Sequence, residues 1–336
     1  MKFKSVVSSI ARAAVIGVAT LLCAASHAQQ PAGGAAGFPN KVVRIIVPFP
    51  AGGLADNLAR GLAQDLQKEW GQAVIVENKP GANTIIAAQA TATSPADGYT
   101  LLMANDPTVS TNQFLYSKLP YDPEKSFVPV VNIAETIEVL VAGPAFAGNL
   151  TELIAAAKAK PNEISYGTYG PGSKAHIDAE AFSKVAGIKM LHVPYKGVAD
   201  VVPALLGSQV QVAFIGVPPA LPMVQSGKLR GIAIAATKRS AALPDVPTFA
   251  EAGMPGGFTS SAWFGLVAPA GTPKPVIDKI AADVSKIIVR PEFEKRYVSG
   301  VGLSLLNMGP DRFAEFLNKD RATYAAQVKD LGVKLD

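Results

Sequence analysis

The stretch Val42-Val43-Arg44-Ile45-Ile46-Val47-Pro48-Phe49-Pro50-Ala51-Gly52-Gly53, running on through Leu54 to Trp70, decides the fold class. Its β-branched run predicts a strand over 42–47. Two prolines and two glycines then predict a loop over 48–53. Leu58, Leu62, Leu66 and Trp70 recur every four residues, which puts them on one face of a helix. Strand, tight loop and helix make one unit of a parallel α/β sheet, and the loop joins the strand's carboxyl end to a helix N-terminus.

Working outward, the unit recurs. Strands are expected at 73–76 and 99–103, with a helix between them ending near Thr93. A second set starts near Ile137, with a β-rich run over 137–141. Asn149 with Glu152 three residues on is a capping box, and Lys158 and Lys160 suit the last turn before Pro161. A strand at 164–168, a loop at 169–173 and a helix at 174–186 follow. Further strands are expected at 190–193, 210–215, 231–236 and 263–268, then helices at 276–289, 291–299 and 310–331. Two such sets imply two lobes with a cleft between them.

The first 28 residues read as a secretory leader. Lys2, Lys4 and Arg12 form a positive start, 13–25 is apolar, and Ser26-His27-Ala28 offers small residues for cleavage before Gln29. Residues 29–37 read as a disordered lead-in rich in Gly, Ala and Gln. The chain carries 31 basic and 26 acidic side chains, and loss of the leader brings this to 28 against 26. That near-balance, without a basic stripe, argues against nucleic acid as a partner. Cys23, the single cysteine, leaves with the leader, and His176 and His192 are the two histidines that remain. No metal site and no cofactor are expected from that set.

Chemistry is sought in the strand-to-helix loops. Phe49, Ala51, Gly52 and Gly53 place backbone N–H groups beside a helix start, which favours an anion. Thr168, Tyr169, Gly170 and Ser173 repeat the arrangement in the second set, and His176 sits in the first turn of the following helix. Asn105 and Asp106 follow the third strand, and Lys196 stands in a turn after His192-Val193-Pro194-Tyr195. Gly170 to Ala175 fits G-x-G-x-x-A without the acidic residue that a dinucleotide site wants, and Ser173-Lys174 reverses the order of a P-loop. The chain has no G-x-S-x-G elbow and no H-E-x-x-H. A binding protein that is not an enzyme is therefore the first expectation. An extracytoplasmic sensor working with a membrane kinase is the alternative, and a secreted α/β hydrolase or dehydrogenase the second.

Phe38-Pro39 leading into 43–53 resembles the start of the Bug (TctC-like) receptors of tripartite tricarboxylate transport. Val76-Glu77-Asn78-Lys79-Pro80-Gly81-Ala82, Asp97-Gly98-Tyr99-Thr100-Leu101-Leu102, His192 to Gly197, Leu243-Pro244-Asp245-Val246-Pro247-Thr248 and Trp263-Phe264-Gly265-Leu266 continue the likeness in order. The resemblance implies an α/β, type II periplasmic-binding-protein fold of two lobes, with mixed, mostly parallel sheets around a central cleft. Lobe 1 would comprise 38–136 and 263–336, and lobe 2 residues 137–262. It also implies Venus-flytrap closure of a monomer on a small organic acid, periplasmic location, and delivery to a membrane permease of one large and one small subunit.

Departures from the family pattern mark further candidates. Relatives often read Pro-Gly-Ala-Gly-Gly-Asn-Ile-Gly, and here Asn83 and Thr84 stand where the paired glycines would be. Relatives frequently carry Asp where Ile215 stands and a polar residue at Gly216. Loss of that carboxylate predicts a ligand without an amino group at that end.

Overall fold

The computed structural model describes residues 37–332, 334 and 335. The leader over 1–28, and the lead-in except for Gly37, lie outside the described residues. The opening unit forms as expected: β1 (Val43–Val47) runs into α1 (Leu54–Trp70). Val43, Ile45 and Val47 are buried in one core cluster with Leu58, Leu62 and Leu66, each worth roughly 1.5–3 kcal/mol of apolar burial.

β2 (Val74–Asn78), α2 (Ile85–Ala92) and β3 (Thr100–Ala104) complete the first unit pair. A short α3 (Asn112–Leu115) precedes β4 (Phe127–Ala142), a strand of 16 residues. The sequence reading caught only the end of it, at 137–141. Pro129 and two register shifts interrupt its first half, and these hide the strand pattern. Next come α4 (Leu150–Ala159), β5 (Ser165–Thr168), α5 (Lys174–Ala186), β6 (Leu191–Pro194), α6 (Val198–Leu206), β7 (Val212–Gly216), α7 (Val217–Gln225) and β8 (Arg230–Ile234). The chain closes with β9 (Ser261–Pro269), α8 (Lys274–Ile288), α9 (Pro291–Tyr297), β10 (Ser304–Met308) and α10 (Pro310–Leu331). The capping box on α4 is present: Glu152 N–H donates to Asn149 Oδ1 at 3.0 Å, and Asn149 N–H to Glu152 Oε2 at 2.8 Å.

The main path through the strands runs β2-β1-β3-β9-β4-β7-β5-β6, with β8 and β10 also on β4. Pairings of β1 with β2 and β3, and of β5 with β6 and β7, are parallel, whereas β4 and β9 pair antiparallel. The ladder is thus mixed. β4 belongs to both ends of it, pairing β9 and β10 with its first part and β7 and β8 with its second. Buried cores gather separately around the two ends. One set draws on residues before Thr136 and after Ser260, the other on Ile137 to Phe258.

Candidate functional site

Strand ends position every candidate loop. After β1, the loop over 48–53 is held by Asp56, whose Oδ2 accepts from Gly52 N–H at 2.8 Å and from Arg60 Nε at 2.9 Å. Asn78 Nδ2 ties the other carboxylate oxygen to the loop, donating to Asp56 Oδ1 at 2.8 Å and Phe49 O at 3.0 Å. Burial opposes the charge on Asp56, but these donors hold its pKa below the usual carboxylate value. Ala51 and Gly52 face solvent, Phe49 and Gly53 are half-buried, and the Gly52 amide is already engaged by Asp56.

After β2, Ala82–Thr84 form one 3-10 turn, and Asn105 and Asp106 follow β3 into a π-helical turn at Pro107–Thr111. These stretches share a polar network. Thr108 Oγ1 bonds Thr84 Oγ1 at 3.2 Å and also Asn105 Oδ1. Asn83 and Asn112 exchange two bonds at 2.8 Å, and Tyr121 Oη donates to Thr108 O at 2.8 Å.

On the other set, Ser173 Oγ donates to Gly170 O at 2.7 Å, and Gly172 N–H donates to His176 Nδ1 at 3.0 Å. The His176 ring stacks on His192 at 4.2 Å, and His192 Nε2 lies 2.7 Å from Thr168 Oγ1. Burial lowers the pKa of both histidines, that of His192 to about 4 with a smaller contribution from His176. His176 thus acts as an acceptor that shapes the glycine loop.

The two loop systems touch. Asn83 Nδ2 reaches Gly172 O at 3.4 Å. Gly172 has φ of 72°, which favours glycine, and a Cβ there would crowd Leu335 at 2.5 Å, Leu115 at 2.8 Å and Asn83 Nδ2 at 3.3 Å. Leu115, Ile177, Tyr324 and Val328 form a buried cluster across the seam. Lys184 Nζ adds a bond to Asp330 O at 2.8 Å.

Charges are buried in this seam. Lys174 Nζ donates to Asp178 Oδ1 and to Ser260 Oγ, and Ser260 Oγ also bonds Asp178 Oδ1 at 2.7 Å. Asp106 and Glu138 are each 1% exposed. Neither oxygen of Asp106, nor Glu138 Oε2, nor Asp178 Oδ2 meets a well-aligned hydrogen-bond donor, although the Tyr324 phenol interacts with Asp106. Asp320 accepts from Trp263 Nε1 at 3.1 Å. Burial pushes Asp106 up to about 7, and burial with the nearby Asp178 pushes Glu138 up to about 8. Burial opposes the charge of Lys174, yet Asp178 and Asp106 outweigh it and raise its pKa. Tyr169 lies within the field of Glu138, Asp178 and Asp106, and burial first, then those acids, raises its phenol well above the ordinary value.

Of the candidates from sequence, the seam gathers Asn83, Thr84, Asn105, Asp106, Tyr169, Gly170 and Ser173. Thr168 and His176 stand behind the glycine loop. Lys196 is exposed in its turn. Ile215 is 0% exposed within the core around β7, and Gly216 lies opposite Glu138 across the β4–β7 ladder. Sequence reasoning missed Glu138, Asp178 and Ser260 and dismissed Lys174 as part of a misordered P-loop. One signal was available: Glu138 is the only charge within the apolar run 137–141. Its meaning depends on what α5 brings opposite it.

Comparison with known proteins identifies the family. Residues 58–333 match the model of the tripartite tricarboxylate transporter family receptor. BugT of Bordetella pertussis is 35% identical over 300 residues, 89% of this chain and 91% of that protein. The structure of R. palustris Rpa4515 with adipate superposes with a TM-score of 0.84 at 30% identity, covering 89% of this chain and 100% of that one. The periplasmic binding protein BugD gives a TM-score of 0.81 at 32% identity, again covering 89% of this chain and 100% of the other. The family model, the curated relative and the solved structures agree, and the chain belongs to the tripartite tricarboxylate transporter receptor family.

Proposed function

We propose that the protein is a periplasmic solute receptor that captures a small organic acid between two lobes and hands it to a membrane permease of one large and one small subunit. The lobes are residues 38–136 with 263–336, and residues 137–262. β4 and β9 serve as the connecting strands, because the ladder is continuous through them while the cores gather on either side. The observation that carries the reading is the seam itself: loops from both sides meet at Asn83 and Gly172 over a buried Lys174. Asp178 already pairs with the Lys174 ammonium, so the ligand's carboxylate would draw on its remaining donor, and hydrogen bonds to charged groups contribute about 1.5–3 kcal/mol each. The adipate held by Rpa4515 supports the same class of ligand. Binding without turnover is the activity proposed, by closure that favours the liganded state.

Native mass spectrometry of the protein taken from its own periplasm tests this. The expected result is a one-to-one complex that releases an organic acid on activation, and restored binding when that acid is titrated into stripped protein. Ligand-free protein that also fails to bind any organic acid in calorimetry would overturn the receptor reading, and recovery of the protein in the cytoplasmic fraction would overturn the location.

A further inference from the structure

Three rings from three elements are stacked behind the glycine loop. Tyr166 of β5 lies on His192 of β6 at 5.1 Å between centroids, and His192 on His176 of α5 at 4.2 Å, with interplanar angles of 16° and 11°. Both histidines reach the loop. Gly172 N–H donates to His176 Nδ1 at 3.0 Å, so that nitrogen carries no proton and the ring's hydrogen is on Nε2. His192 Nε2 bonds Thr168 Oγ1, which accepts from Gly170 N–H at 3.3 Å. Gly170 and Gly172 hold φ of 115° and 72°. Glycine reaches positive and negative φ alike, so hydrogen bonds rather than sterics keep the loop in place. From that place Gly172 O receives the bond of Asn83 across the seam. Few ionisable groups surround the stack. Glu180 of α5 accepts from Tyr166 Oη, and it raises the pKa of His192 against burial and His176, which lower it. Tyr169, in the loop, stays a neutral phenol. α10 sets Tyr324 beside Lys174 and Asp330 beside Lys184, and β7 brings no ionisable side chain to α5.

We propose that the His176–His192 stack is an acid-sensitive clasp on the glycine loop: a proton on His176 Nδ1 takes away the acceptor of Gly172 N–H, frees the loop and parts it from Asn83, so that the receptor releases its organic acid as the medium acidifies. Protonation turns Nδ1 from an acceptor into a donor that faces another donor, and the bond cannot survive it. His192 is not the trigger, since its Nε2 can donate to Thr168 Oγ1 when charged as well as accept from it when neutral. Its part is to support one face of His176. At 4.2 Å it also makes a second imidazolium unfavourable, so the stack takes up one proton at a time. Burial lowers the pKa of His176 from its ordinary 6.5. The bond is therefore intact above pH 6.5 and lost as pH falls through the lowered value. The clasp stands on these contacts alone, whereas the release of an organic acid rests on the solute-receptor reading.

Imidazole and amide NMR of the ligand-free protein, titrated from about pH 7.5 to about pH 4.5, tests the clasp. His176 should begin as the Nε2–H tautomer and titrate below 6.5, and the amide signals of Gly170, Gly172 and Ser173 should move with the same midpoint. In His176→Asn, Oδ1 offers an acceptor near the place of Nδ1 that does not titrate, and the loop signals should stay still. Loop signals that ignore the titration of His176, loop signals that move equally in His176→Asn, or a His176 that stays neutral throughout would each overturn the clasp. Should the variant not fold, the ring and loop midpoints of the unsubstituted protein decide alone. For the release, the probe is the acid identified by native mass spectrometry. Over the same titration its affinity should fall at least about fivefold further in the unsubstituted protein than in His176→Asn, a comparison from which protonation of the acid itself cancels. Equal losses would overturn the release and leave the receptor reading standing. If no acid binds, the receptor reading fails and the release with it, while the ring and loop signals still decide the clasp.

Discussion

Asp106 and Glu138 should imprint themselves on stability. Burial raises Asp106 from 3.8 to about 7 and, with Asp178, raises Glu138 from 4.5 to about 8. The native state therefore holds protons that the unfolded chain releases, and stability falls as pH rises between the two values of each group. The buried histidines work in the opposite sense. With pKa values below 6.5, they destabilise the fold as pH drops under that value. Below 6.5 the acids and histidines oppose each other. Above it the acids act alone, Asp106 to about 7 and Glu138 to about 8. Ligand-free protein is therefore expected to lose about 3 kcal/mol of unfolding free energy between pH 6.5 and about pH 8.5, from roughly 1.4 kcal/mol per proton per unit. Urea denaturation across this range checks it. Glu138→Gln should flatten most of the slope, and an unchanged slope in that variant would show that Glu138 is not the group responsible.

At the scale of elements, the turn at Ala82–Thr84 is the costliest piece of backbone in the seam. Ala82, Asn83 and Thr84 all have positive φ, at 47°, 46° and 74°. For a residue with a Cβ this conformation costs about 1–2 kcal/mol. Asn83 and Thr84 recover part of the cost through Asn112 and Thr108, whereas the Ala82 side chain is exposed and makes no such bond. Ala82→Gly should accordingly raise the urea midpoint by the equivalent of about 1 kcal/mol, less any gain in unfolded-state entropy. A lowered midpoint would show that the strain is not real. Elements with their own periodicity and caps were legible in sequence: α5 and α10 fall on 174–186 and 310–331 as expected, and α4 has its capping box. The first half of β4 was not, because its strand character comes from pairing with β9, more than a hundred residues away, across two bulges. α6 and α7 carry internal prolines, Pro203 and Pro222, that mask the helical pattern. The glycine loops announced themselves by composition. Asp106 was marked by its place after the third strand, but Glu138 and Asp178 were not, since a buried charge is recognised only by what tertiary packing sets against it.

For the whole molecule, the question is whether the seam is a permanent core or a contact made on closing. Ile177 on α5 is 1% exposed and packs with Leu115 of α3 and with Tyr324 and Val328 of α10, elements from opposite sides. A cluster this small, beside the Lys184–Asp330 contact and the single Asn83–Gly172 bond, is suited to forming and parting while the larger cores stay intact. Truncation there should then weigh on the closed state alone. Removing a buried isoleucine to alanine costs about 2–5 kcal/mol where the site cannot relax. If the site opens instead, that cost appears as a shifted population and a weaker apparent affinity. Ile177→Ala is expected to enlarge the radius of gyration of ligand-free protein in solution scattering and to weaken ligand binding by about thirtyfold, the equivalent of about 2 kcal/mol. Its urea midpoint should fall much less than that of Leu62→Ala, which opens a cavity under α1 whichever state the seam adopts. Equal losses of stability in the two variants, with the scattering radius unchanged, would mean that the seam is a fixed core and that the two sides do not part.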